Sequence, residues 1–338
     1  MPKVHFLNVK EGDCSIIEHT SKRLTMIDVC NAKPINPYEE AYNAIRAAAE
    51  KGESGNFNQK KYPVNPIAYM RERNFSEIFR FILTHPDMDH MDGLVALFQE
   101  FNPVNFWDTD NTEEKVDFSA NGRYNEGDWN LYRSLRDSNP QSNPKRLTLF
   151  SGSDGQYYNR NESNQIGGDG LTILAPTKEL VSQANVCEDY NDCSYVLLYR
   201  SCGHRVLFAG DSHDSTWDHI LSTQGPDVRD VDVLIAPHHG RDSDRSYGFL
   251  DVVNPALTLF GNARSEHLAY AAWSYRNLPM ITNNQAGSIL VDLEGDRVEI
   301  YVTCRAFANG HSILPFENPE YRSYYYWGAA ERKKAIGA

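Results

Sequence analysis

Thr84-His85-Pro86-Asp87-Met88-Asp89-His90-Met91-Asp92-Gly93 follows directly on the apolar run Ile78-Phe79-Arg80-Phe81-Ile82-Leu83. The run reads as a buried strand, and the Pro and Gly around the polar residues mark a loop that leads into a helix. Four potential metal ligands, His85, Asp87, Asp89 and His90, fall within six residues. In an extended loop the alternate positions 85, 87 and 89 converge on one point, and His90 adds a second imidazole. Acids and imidazoles gathered there repel or stay poorly solvated unless a cation compensates them. A lone motif of this kind also serves as the hydrogen-bonded start of a helix, so the other strand ends decide.

Three of them agree. Leu24-Thr25-Met26-Ile27-Asp28 is a strand that ends in an acid. Val206-Leu207-Phe208-Ala209-Gly210-Asp211 ends in Gly-Asp, and Val231-Asp232-Val233-Leu234-Ile235-Ala236-Pro237-His238-His239-Gly240 ends in paired histidines. Ligands set repeatedly at strand ends, and brought together by the fold, are what a catalytic cleft requires. No Gly-x-Ser-x-Gly elbow and no Gly-rich phosphate loop competes with this reading.

In these motifs and their order the chain resembles the metallo-β-lactamase superfamily, whose usual ligand motif is His-x-His-x-Asp-His. Asp87 stands where the second histidine is usual. That replacement is similar to the branch containing the nuclease-like domain of bacterial competence (DNA-uptake) proteins. Phe6-Leu7-Asn8-Val9-Lys10-Glu11-Gly12-Asp13, Asn191-Asp192-Cys193-Ser194-Tyr195-Val196-Leu197 and Pro237-His238-His239-Gly240 resemble the same branch. The resemblance covers roughly residues 3 to 302, with departures at Lys10-Glu11, where Gly-Gln is usual, and Arg241, where Ser is usual.

The resemblance implies an α/β fold, a four-layer αββα metallo-β-lactamase sandwich with its cleft at one edge of the paired sheets. It implies two divalent ions, the first on His85 and Asp87, the second on Asp89 and His90, with Asp211 bridging. One of His238 and His239 completes the second position. Asp28 is expected behind the ligands as an acceptor that orients a histidine N–H, or else as a solvated strand end. Asn191 falls where many relatives carry a third histidine, and is expected to hold substrate or a water. Asp13 either fixes a turn or approaches the metals. Ser194 and Cys193 are expected to be local hydrogen-bonding and packing residues. His267 matches a histidine of the branch, as a phosphate contact or acid, or as a capping or packing residue. Asp89, Asp211 and His267 are therefore the catalytic candidates. An oxygen-rich first position favours manganese, with zinc or magnesium as alternatives.

With 41% hydrophobic and 23% charged residues, the 338-residue chain has the composition of a globular protein with a large core. No apolar stretch approaches the about 20 residues that span a membrane. Met1-Pro2-Lys3-Val4-His5 leads into a strand without a signal-peptide pattern. Cysteines 14, 30, 187, 193, 202 and 304 form no Cys-x-x-Cys pair, so a cytoplasmic protein with reduced thiols is expected. The net charge of −13 argues against a free-standing processive nuclease, which needs a basic surface. It leaves room for a local basic groove, a short nucleotide, or a regulatory protein partner.

Residues 1–305 read as one domain with insertions at about 31–66 and 103–170. The first insertion holds a helix over Tyr38 to Lys51, with Tyr38, Ala41, Ile45, Ala48 and Ala49 at helical spacing. The second is polar, has a helix near Asn130–Leu135, and is expected either to cover the site or to be a solvated insertion. Residues 306–338 form an arm in which Tyr321, Tyr324, Tyr325, Tyr326 and Trp327 precede Arg332, Lys333 and Lys334. Such a cluster packs the arm on its own domain or a second subunit, or stacks nucleic-acid bases. The leading expectation is a phosphodiesterase or nuclease that uses a two-metal-activated hydroxide on DNA, RNA or a nucleotide. The alternatives are hydrolysis of lactone, thioester or amide bonds, and a partner-regulated effector subunit with latent activity.

Overall fold

The computed structural model describes residues 1–53, 55–114, 118, 122–139, 142–243, 245–263, 267–311 and 317–326. Six short strands come first: β1 (Lys3–Phe6), β2 (Ser15–Glu18), β3 (Leu24–Ile27), β4 (Arg80–Ile82), β5 (Asn105–Asp108) and β6 (Lys145–Thr148). Then follow β7 (Leu171–Ala175), β8 (Val196–Ser201), β9 (His204–Phe208), β10 (Val233–Ile235), β11 (Leu257–Phe260) and β12 (Met280–Thr282). The chain closes with β13 (Ile289–Asp292), β14 (Glu299–Val302), β15 (Glu317–Asn318) and β16 (Ser323–Tyr326). The larger sheet runs β15-β16-β14-β13-β1-β2-β3-β4-β5-β6, and the smaller β12-β11-β10-β9-β8-β7.

Strands this short bury enough surface only when both faces are covered, and their alternating side chains show how that is done. Ile27, Ile82 and Trp107 of the larger sheet meet Leu197, Phe208 and Ile235 of the smaller one in the central core. Their neighbours Met26, Phe81 and Phe106 point outward, under α2 (Pro66–Glu72), α3 (Leu94–Phe101) and α4 (Glu126–Arg136). On the far side, Leu198, Leu207 and Leu234 lie under Trp217 and Ile220 of the helix Asp214–Val228, with Leu250 and Trp273 beside them. The chain therefore forms the expected four-layer αββα sandwich.

Within each sheet the strands that carry candidate ligands are parallel neighbours: β3 with β4, and β9 with β10. Parallel neighbours deliver their C-terminal ends to one edge, and the site lies there.

The first insertion carries α1 (Pro37–Ala49), started by Pro37 and by the Asn36 side chain, which accepts from the Tyr38 and Glu39 amides. Its apolar stripe faces solvent: no residue of α1 is buried, and Tyr38 is 88% and Ile45 69% exposed. The second insertion differs from a simple cover. Its β5 and β6 extend the larger sheet, and α4 buries Trp129 and Tyr132 against it. In the C-terminal arm, β16 pairs with β14, and buried Tyr321 donates its hydroxyl to Asp292 at 2.6 Å. Packing therefore occupies Tyr321, while Trp327, Arg332, Lys333 and Lys334 lie outside the described residues. No helix among the described residues is long and apolar enough to cross a membrane.

Candidate metal centre

Each strand end delivers its side chain to one spot. β4 runs into Thr84-His85, followed by a single 3₁₀ turn, Met88–His90. Beside it, β3 ends at Asp28, whose backbone turns left-handed (φ 57°). That turn brings the carboxylate under the loop. Asp28 accepts from the Thr84 amide at 2.8 Å and from the Thr84 hydroxyl at 2.7 Å, and approaches His90 Nδ1 at 2.8 Å. From the other sheet, β9 leads to Asp211 and β10 to His238 and His239, both at positive φ (51° and 57°). Two successive left-handed non-glycine residues are strained, as site residues often are.

The donors converge on Asp211. His85 Nε2 lies 3.9 Å, His238 Nε2 3.5 Å and His239 Nε2 3.7 Å from its Oδ2, and His90 Nε2 lies 3.4 Å from Oδ1. Asp87 stands 3.5 Å from His85 Nε2, and Asp89 3.4 Å from His239 Nε2. Asp13 is buried with its Oδ1 3.0 Å from His239 Nδ1, a charged contact in which neither atom has a hydrogen-bond partner, whereas Asp28 is hydrogen-bonded to His90. Gly12 makes this possible: a Cβ there would sit 2.1 Å from the Asp89 carbonyl oxygen.

Electrostatics mark the cluster as built for positive charge. Burial opposes ionisation of Asp211, yet the surrounding imidazoles hold its pKa well below the carboxylate range. Burial likewise disfavours charge on His90 and His239. Asp211 with Asp28 raises the first, and Asp13 with Asp211 raises the second, both well above the ordinary value. Asp89 is lowered despite its burial, chiefly by His239 and His90. His238 goes the other way, down to about 4, through burial and the nearby cations His239, Arg245 and Arg241, against the pull of Asp211.

Hydrogen bonding gives the sharper test of a bound cation. His85 Nε2, His90 Nε2, His239 Nε2 and Asp211 Oδ1 are all buried without a hydrogen-bond partner. Buried polar atoms left so are rare and costly, and four of them facing one another are what a divalent ion would satisfy. Three sets, His85-His90-Asp211, Asp89-His90-His239 and Asp13-Asp211-His239, each have ligand atoms within 4.8 Å of one another. The donor set fits a metal.

The remaining candidates lie around this cluster. Asn191 has a buried Oδ1 without a partner. It sits on the 3₁₀ turn Tyr190–Cys193, held to the site where Ser194 Oγ accepts from the Asp211 amide at 3.1 Å. Cys193 is buried and bonds to the Tyr190 carbonyl, as expected of a packing residue. His267 is exposed, and its carbonyl accepts from the Asp242 amide at 2.6 Å. Sequence reading missed Arg245, buried with its guanidinium 3.2 Å from His238 Nδ1. It missed as well the ion pairs of the residues preceding Gly12, where Arg123 pairs with Glu11 at 2.8 Å and Lys10 lies 3.9 Å from Asp92.

No protein-family model and no curated protein matches this sequence. Solved structures are similar to it over most of its length. A CmlA beta-hydroxylase variant shares 12% identity at a TM-score of 0.39, across 77% of this chain and 46% of that one. A diphosphatase from the PhnP family shares 9% at 0.39, across 86% and 97%. Tm1679, a metal-dependent hydrolase of the beta-lactamase superfamily, shares 10% at 0.42, across 85% and 98%. At such identities no residue role passes from these proteins to this chain.

Proposed function

We propose that this chain is a metal-dependent hydrolase that cleaves a phosphodiester bond in a nucleic acid or nucleotide. One observation carries the reading: three unpartnered imidazole Nε2 atoms and a shared carboxylate, all buried, face one another where the two sheets meet. His85, Asp87 and Asp211 would hold one ion, and Asp89, His90, His239 and Asp211 a second. Bound there, a divalent pair supplies a water of lowered pKa and neutralises charge on phosphoryl oxygens.

The chain's own residues do the rest. Asp28 fixes the His90 ring by a hydrogen bond and the Asp13 carboxylate faces His239 Nδ1 at 3.0 Å, so that the Nε2 atoms of both rings point into the cluster. Thr84 is held at both its amide and its hydroxyl, which keeps the ligand loop from adjusting. Arg241, lying close enough to disfavour protonation of His238, supplies positive charge for an anionic substrate on an otherwise acidic protein, while Lys10 and Arg123 are engaged by Asp92 and Glu11. The choice of a phosphodiester follows the competence-type motif with Asp87 and the Pro237-His238-His239-Gly240 segment.

The test is a substrate panel on chelator-stripped protein. Bis(p-nitrophenyl) phosphate should be hydrolysed only after a divalent ion is restored, with no comparable turnover of lactone or β-lactam substrates. Labelled single- and double-stranded DNA, RNA and cyclic dinucleotides then narrow the natural class. Metal-dependent lactone hydrolysis without phosphodiesterase activity would overturn the proposal.

A further inference from the structure

Of the four imidazoles around Asp211, three share one proton arrangement and the fourth is reversed. Carboxylates at neutral pH only accept hydrogen bonds, so Asp28, bonded to His90 Nδ1 at 2.8 Å, places that ring's proton there, and the Asp13 carboxylate, 3.0 Å from His239 Nδ1 but outside hydrogen-bond geometry, favours the same placement by its charge. Each then presents an Nε2 lone pair to the cluster. His85 reaches the same state through a relay. The Thr84 hydroxyl gives its hydrogen to Asp28 at 2.7 Å, so its oxygen accepts from His85 Nδ1 at 3.1 Å.

His238 has a different neighbour. Its Nδ1 lies 3.2 Å from Arg245 Nη1 and 3.3 Å from Nη2. A guanidinium has donors and no acceptor, so His238 Nδ1 must accept. Arg245 cannot turn away, because it is buried and donates to the Ser212 carbonyl at 2.8 Å and to the Asp211 carbonyl at 2.7 Å. Ser243 Oγ accepts from Arg245, lies 3.3 Å from His238 Nδ1 and donates to the Arg241 carbonyl at 3.4 Å. A neutral His238 therefore keeps its proton on Nε2, 3.5 Å from Asp211 Oδ2. It is also the outermost of the four rings, with its side chain 18% exposed against 0% for His85 and His90 and 1% for His239.

We propose that Arg245 locks His238 as an Nε2–H donor to a substrate oxyanion beside Asp211, and that His239 alone of the pair binds the ion. This rests on the metal-hydrolase reading for its substrate, and only on proton placement for its ligand assignment. His238 is then a catalytic residue that touches substrate, and Arg245 is a positioning residue that acts through it.

Two measurements test the assignment without activity. After stripping and reloading with zinc, His238→Ala should retain the wild-type metal content by elemental analysis, whereas His239→Ala should lose one equivalent. In ¹⁵N-labelled wild-type protein, His238 should show a protonated Nε2 and a bare Nδ1, the reverse of His90. This spectrum needs no variant, so a folding defect in either substitution leaves the test intact. With bis(p-nitrophenyl) phosphate, His238→Ala should lower kcat by about 10²- to 10³-fold. His238→Gln, whose amide still donates, should recover part of that loss. Loss of a metal equivalent in His238→Ala, or a bare Nε2 on His238, would overturn the proposal. If the wild type hydrolyses no phosphodiester, the function proposed above fails while metal content and proton placement still decide the ligand.

Discussion

A carboxylate behind an imidazole fixes both the ring's proton and its aim, and this chain uses the device twice. Asp28 serves His90 and also ties down Thr84 by two bonds, whereas Asp13 faces His239 Nδ1 at 3.0 Å without a hydrogen bond. Outer partners of this kind typically contribute about 10- to 100-fold to metal affinity. Asp28→Asn should fall at the upper end of that range and Asp13→Asn at the lower, measured by competition with a chromogenic chelator. Equal metal affinity in wild type and Asp28→Asn would show that the ring needs no such support. A second residue, far from the metals, sets an acid limit on the fold. His19 is buried against Thr25 and Tyr199, and burial lowers its pKa from 6.5 to about 3, against the pull of Asp169. A folded value below the unfolded one means that the unfolded chain binds the extra proton first. The stability of neutral His19 is thus complete above pH 6.5 and is lost as pH falls towards 3. The gap in urea midpoint between wild type and His19→Gln should narrow or reverse across that window. A pH-independent gap would contradict the burial argument.

Elements show where sequence patterns inform and where they mislead. The spacing of Tyr38, Ala41, Ile45, Ala48 and Ala49 identified a helix, but periodicity does not say which way an apolar stripe faces, and here it faces water. In α4 the stripe faces the sheet, through Trp129, Tyr132 and Leu135. Trp129→Ala should therefore cost about 3–5 kcal/mol of unfolding free energy, while Ile45→Ala should stay within roughly 0.5 kcal/mol. Urea titrations of the two variants check this, and comparable losses would mean that α1 is packed in solution. The strand β5 was hidden for another reason. Asn105-Phe106-Trp107-Asp108 is too short for an alternation to stand out from its polar surroundings, and only its pairing with β4 and β6 makes it a strand. In β4 the apolar run conceals a buried cation: Arg80 survives between the sheets because Asp169 receives it at 3.1 Å and Thr25 at 2.7 Å. Its partner lies 89 residues away, which no local window reveals.

At the scale of the whole molecule, the division between legible and hidden follows the topology. His85, Asp87, Asp89, His90, Asp211 and the paired histidines stand at strand ends, and parallel strands carry their ends to a common edge, so their convergence was legible from the strand-end motifs together with the arrangement that the resemblance implies. The contacts of Asp13 with His239 and of Arg245 with His238 depend on how the loops from different strands meet, which leaves no periodic trace in the sequence. The same meeting of sheets bears on the choice of metal. Around His85 the further donors are Asp87 and Asp211, with the unpartnered Oδ1 of Asn191 on the neighbouring turn, so oxygen predominates. Around Asp89 two imidazoles, His90 and His239, stand within ligand distance of one another. Oxygen-rich sites suit harder ions, while imidazole-rich sites suit zinc. Manganese should therefore restore the highest phosphodiesterase activity to stripped protein, and zinc should bind tightly at about one equivalent with less activity. Any ion that binds only the folded state also raises the unfolding temperature, which provides a readout independent of substrate. Titration of stripped protein with each ion, following both turnover and unfolding temperature, separates the two positions. Full activity with two equivalents of zinc and none with manganese would mean that the donors around His85 form a zinc site in spite of their oxygen content.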